Sequence, residues 1–105
     1  MKVKGGKHIL PVYCFPLYSI LLAMNQTHVD YFSLDVEGFE LEILKTIPFD
    51  KLDITTFSVE YAHAPKGGKE YIEFMKQNGY KLHSTLHSDA ATYCEDYIFV
   101  KETFQ

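Results

Sequence analysis

Apolar and polar positions alternate along this chain in blocks of two different periods. Ile9-Leu-Pro-Val-Tyr-Cys-Phe15 is almost wholly apolar and suits a strand. Pro16 then stands at the first turn of a helix over Leu17 to Asn25, where its missing N–H costs nothing. After a turn-like Asn25-Gln-Thr-His28, the run Val29-Asp-Tyr-Phe-Ser-Leu-Asp-Val36 is rich in aromatic and branched residues and reads as a strand. Asp35-Val-Glu-Gly38 ends it and opens a helix from about Phe39 to Ile47. There Phe39, Ile43 and Ile47 repeat at helical spacing, and Leu41 and Leu44 widen the stripe. Glu37, Glu40 and Glu42 set negative charge at the helix's positive end, and Pro48 stops it. Ile54 to Tyr61 is a further strand, Ala62 to Gly68 a loop, and Lys69 to Gln77 a helix with Tyr71, Phe74 and Met75 on one side. Asn78-Gly79 caps that helix. Tyr80 to His87 and Asp96 to Glu102 are strands that pair antiparallel across the polar loop Ser88 to Glu95. Alternation of strands and helices predicts an α/β domain whose sheet is mainly parallel, with an antiparallel C-terminal hairpin.

The bulk composition narrows the class of partner. At 105 residues the chain is one domain or part of one, and its eight Tyr and eight Phe must carry much of any core. A net charge of −4 argues against nucleic acid, which needs a basic face. The only basic cluster, Lys2, Lys4, Lys7 and His8, reads as a solvated end. The stretch Ile9 to Met24 carries no charge, but Pro11 and Pro16 break it, so strand-then-helix is expected rather than a signal peptide or a transmembrane helix. Cys14 and Cys94 form no C-x-x-C and read as two buried thiols; a disulfide would need an oxidising compartment.

Candidate chemistry gathers at strand ends, because ligands of open α/β sheets bind beyond the carboxyl ends of strands. Asp35 and Glu37 stand at one such end; Glu60, Tyr61 and His63 stand at the next. Ser33 and Asp35 share one face of their strand, as do Thr56, Ser58 and Glu60 of theirs, and polar groups in central strands need partners. Acids at neighbouring strand ends can act as a base, position a substrate or hold a metal; they can equally end a strand and cap a helix. Asp35, Glu37, Glu60 and His63 offer oxygen and nitrogen ligands, but spacing alone fixes no ligand geometry, and no metal site is expected from it. His83 and His87 fall in a strand and read as surface residues.

The block Val29-Asp-Tyr-Phe-Ser-Leu-Asp-Val-Glu-Gly-Phe-Glu-Leu-Glu-Ile-Leu-Lys45 resembles the signature of FkbM-type methyltransferases. Phe57-Ser-Val-Glu-Tyr61 resembles that family's next strand, and Gly79-Tyr80 with Asp96-Tyr-Ile-Phe-Val100 its closing hairpin. The resemblance covers roughly residues 9 to 102. It implies a partial Rossmann-like methyltransferase sheet and transfer of a methyl group from S-adenosylmethionine (SAM), in all expectation to an oxygen. It also implies Asp35 and Glu60 as catalytic candidates and Glu37 and Gly38 as weaker cofactor contacts. The family's glycine-rich turn and ribose-binding acid have no counterpart: Gly5-Gly6 follows no expected strand. The expectation is therefore that residues 1–105 correspond to the C-terminal half of such a domain, without the SAM-binding N-terminal half. Alone, the chain is expected to bind SAM weakly or not at all, to be inactive, and to self-associate through an exposed strand edge or be only marginally stable. Val12 to Ala23 and the Asp-Tyr-Phe-Ser-Leu-Asp-Val-Glu-Gly block are similar to the animal branch that includes protein Star. That branch implies a non-catalytic module in ER-to-Golgi vesicle trafficking; outside it, a cytoplasmic location is expected.

Overall fold

The computed structural model describes residues 2–5, 8–87 and 95–104. Its strands are β1 (Lys2–Gly5), β2 (His8–Pro11), β3 (His28–Leu34), β4 (Asp53–Glu60), β5 (Tyr80–Leu86) and β6 (Asp96–Lys101). Its α-helices are α1 (Leu17–Ala23), α2 (Glu40–Leu44) and α3 (Lys69–Gln77), with a 3₁₀ turn over Pro65–Gly68. The expected segments from Val29 onward are found within a few residues of their predicted ends. The loop Ser88 to Glu95 and Cys94 lie, except for Glu95, outside the described residues.

The main sheet has the order β3-β4-β6-β5. Among the described residues only β3 and β4 run parallel, from His28 opposite Asp53 to Leu34 opposite Val59; β4–β6 and β5–β6 are antiparallel. The sheet is therefore mixed rather than mainly parallel. The reason is that β6 does not extend the sheet beyond β5 but enters between β4 and β5. A strand that returns through a hairpin-type connection must run antiparallel to its predecessor, and here it also supplies the partner that β4 lacks. Its alternate residues Tyr97 and Phe99 are buried and fill that central position.

The segment expected to be a strand over Ile9 to Phe15 is shorter and lies elsewhere. β2 ends at Pro11 and pairs antiparallel with β1 in a separate two-stranded sheet. Proline gives a strand no N–H for its ladder, which favours an end there. Gly5 thus ends a strand, where none was expected, and the chain goes on to another strand and not to a helix.

Packing explains where the helices sit. Leu44, Ile54, Phe57, Val59, Met75 and Phe99 are fully buried, with Tyr71 and Tyr80 close behind. Phe57 lies edge-on to Phe32 and Tyr80, with ring centroids 5.8 and 5.1 Å apart. Full burial of one such side chain contributes about 1.5–3 kcal/mol. Tyr80 donates its hydroxyl hydrogen to the Ile54 carbonyl, and burial, then nearby Asp53, pushes its pKa up to about 12. In α2 the predicted stripe is rotated. Phe39 is exposed, and the inward line runs through Glu40, Leu44 and Ile47. After Leu44 the chain tightens into i to i+3 bonds, Thr46 N–H to Ile43 O (2.9 Å) and Ile47 N–H to Leu44 O (3.2 Å), before Pro48. Cys14 is exposed rather than buried. No helix among the described residues is long and apolar enough to cross a membrane.

Candidate functional site

The parallel register of β3 and β4 sets the loops after Leu34 and Glu60 side by side. Asp35, Glu37, Gly38, Glu60 and His63 therefore come together, as their strand-end positions predict. The carboxylates of Asp35, Glu40 and Glu60 lie within 4.8 Å of one another, and so do the ligand atoms of Glu37, Glu60 and His63. His63 is the hub. Its Nδ1 is 3.1 Å from Glu60 Oε1 and its Nε2 is 3.3 Å from Glu37 Oε2. Beside it opens a cleft of about 460 Å³ lined by Glu60, Ala62, His63 and Glu95.

Glu40 organises this end of the fold, a role that charge patterning alone did not show. It is buried, and both its oxygens accept hydrogen bonds. Val36 N–H donates to Oε2 at 2.7 Å, Gly38 N–H to Oε1 at 3.1 Å, and the Tyr71 hydroxyl to Oε1 at 2.8 Å. Three donors around one acid suit a carboxylate, which can only accept. Burial and the bond to Glu40 push the Tyr71 hydroxyl's pKa up, so it stays a donor. Glu40 thus ties the Asp35–Gly38 turn to α3.

The turn itself is tightly built. Glu37 takes φ 56° and Gly38 φ 102°. A non-glycine residue held in that left-handed region costs about 1–3 kcal/mol, and such residues cluster at functional sites. A Cβ on Gly38 would lie 3.0 Å from the His63 carbonyl oxygen, so only glycine lets the two strand-end loops approach this closely. The loop after β4 is pinned from its other side. Tyr61 stacks on Tyr97 at 4.1 Å, and the Tyr97 hydroxyl donates to Gly67 O at 2.8 Å. A Cβ on Gly68 would meet the Tyr61 Cβ and the Tyr97 ring, each at 2.9 Å. His87 reaches the same edge, with Nδ1 3.0 Å from the Tyr61 hydroxyl. Inside the sheet, Ser58 finds its partner in Asp96, to which it donates at 3.3 Å.

The turn at Gly38 does not offer a cradle for SAM. A nucleoside cradle needs a glycine turn whose N–H groups and open space face the ligand. Gly38 is the glycine that opens a strand-to-helix turn here. Its N–H is given to Glu40, and the space over its Cα is filled by His63. Glu37 faces His63 across an exposed surface.

The Methyltransferase FkbM domain model matches residues 4–82, about three quarters of the chain, ending inside β5 and singling out no branch of that family. No curated relative and no solved structure matches the chain. With its signature block placed at the carboxyl ends of the parallel strand pair, the chain belongs to the methyltransferase FkbM domain family.

Proposed function

We propose that this chain supplies the acceptor side of a SAM-dependent methyltransferase domain acting on oxygen. It receives a hydroxyl-bearing acceptor in the cleft beside Glu60 and His63 and stays inactive by itself. The observation that carries this reading is the convergence of Asp35, Glu37, Glu60 and His63 where the only parallel strand pair among the described residues ends. When bound to a complete domain, SAM supplies an electrophilic methyl group. The residues here orient the acceptor and take its proton. Asp35 is exposed at the end of β3, and Glu60 is held by His63 at the cleft wall. Both are carboxylates placed for general-base work. Glu37 and Gly38 serve this cleft rather than the cofactor: Glu37 faces His63, and Gly38 lets the two loops close together.

The reading predicts that the purified chain does not bind SAM in a calorimetric titration. A dissociation constant near one micromolar, about −8 kcal/mol, would show that the cofactor site is already complete and contradict the acceptor-side assignment.

One observation favours a second reading, a non-catalytic module of the Star-like kind in ER-to-Golgi trafficking. Glu40 and Gly38, both part of the signature, are fully used in holding the loop together. If a longer gene product with a strand and glycine turn ahead of this segment binds SAM and methylates a hydroxyl, that reading falls.

A further inference from the structure

We infer that Glu37, Glu60 and His63 form a binding site for a divalent transition-metal cation of the Mn²⁺ or Zn²⁺ type. The donor set mixes one imidazole with two carboxylates, which suits such ions better than the all-oxygen shells of Ca²⁺. The three ligand atoms come from two different strand-end loops and lie within 4.8 Å of one another, so one ion can touch all three.

Two further observations point to a missing positive partner. The Oε2 atom of Glu60 is buried and meets no hydrogen-bond donor among the described residues. A buried acceptor left this way is costly, and Glu60 is the residue shared by both groupings. In addition, both nitrogens of His63 face carboxylate oxygens. A cation bound by one His63 nitrogen and the two carboxylates gives Glu60 its partner.

The scaffold is prepared for this. Gly38 brings the two loops together, Glu40 fixes the first, and the Tyr61–Tyr97 stack fixes the second. Three protein ligands leave positions open toward the adjoining cleft, the arrangement of a reactive rather than a purely structural metal site. The inference adds to the acceptor-side reading without depending on it.

Calorimetric titration of the chain with MnCl₂, and separately with ZnCl₂, tests it on the wild type and on Glu37→Gln, Glu60→Gln and His63→Gln. The expected result is one ion per chain, with affinity falling about tenfold or more in each variant. Glu37 is 72% exposed, so its variant reports on the ion even if Glu60→Gln fails to fold. Binding of neither ion up to about 1 mM, weaker than about −4 kcal/mol, overturns the inference. So does binding that is undiminished in Glu37→Gln and His63→Gln, which would place the ion on other histidines.

Discussion

Around β4 and β6, Phe57, Val59, Phe99, Tyr71, Met75 and Tyr80 are buried almost to completion. Around β3 and α1, Phe15 is 68% exposed, Met24 60% and Tyr31 56%, and Leu21 is the one buried residue of α1. An apolar groove of about 440 Å³ runs between them, lined in part by Phe15, Pro16, Ile20, Phe32, Leu34 and Ile43. Among the described residues β3 pairs with β4 alone, so the backbone groups on its other side have no described strand beside them, and the hairpin β1–β2 does not supply one. The same hydrophobic composition is thus spent on a finished core at one side of the sheet and on an open surface at the other. The difference teaches where close packing stops, and the candidate site lies on the boundary, with Asp35 on the open side and Glu60 on the closed one.

The largest expected effect tests the contrast directly. Phe57→Ala should lower stability by about 3–5 kcal/mol, whereas Phe15→Ala should stay within about 0.5 kcal/mol. Urea denaturation of both variants measures this. Equal losses would mean that the β3–α1 side carries as much packing as the core.

The boundary itself is tested next. Glu40→Ala releases two N–H groups and the Tyr71 hydroxyl at once, and should cost about 3 kcal/mol, the upper end for a buried unsatisfied group. Tyr71→Phe removes one hydrogen bond and should cost about 1 kcal/mol. Thermal melts that rank these two in the opposite order would remove Glu40 as the tie between the site loop and α3.

The smallest effect concerns the far end of the strand pair, where His28 of β3 meets Asp53 of β4 at 2.9 Å and Asp30 at 2.7 Å. The bond to Asp30, then that to Asp53, raises the pKa of His28 above its usual 6.5. Lys101, then His28, lowers that of Asp53 below its usual 3.8. The raised histidine stabilises below its unfolded value and loses its effect as pH rises through the folded one. The lowered aspartate stabilises above its unfolded value and loses its effect as pH falls through the folded one. The strap is therefore strongest between these usual values and, being exposed, weak and screened by salt. The melting-temperature difference between wild type and His28→Gln should peak in that window and shrink on either side. A difference that grows above neutral pH would contradict the assignment.

Much of this was legible in the sequence. The periodicities located every element of the main sheet, and the rule that ligands sit beyond strand carboxyl ends led to Asp35, Glu37, Glu60 and His63. The order of strands was not legible, because whether β6 lies outside β5 or between β4 and β5 is decided by long-range pairing with no local mark. The β1–β2 hairpin escaped notice because Lys2 and Lys4 made it look like a solvated end. Glu40 was read as negative charge at the start of its helix, where it does stand, but its burial was not foreseen. Its spacing to Leu44 and Ile47 put it in the inward line of α2, but an acid in such a line is usually counted to the polar face.

Sedimentation across a hundredfold concentration range tests the open β3 edge most directly. An unpaired strand edge flanked by apolar surface is a template for another chain. The account predicts association that grows with concentration, and its loss when Tyr31 and Phe32 are replaced by lysine and proline. A sharply melting monomer at every concentration would show that the β3 side is closed in solution, and the contrast between a packed and an open side would be wrong.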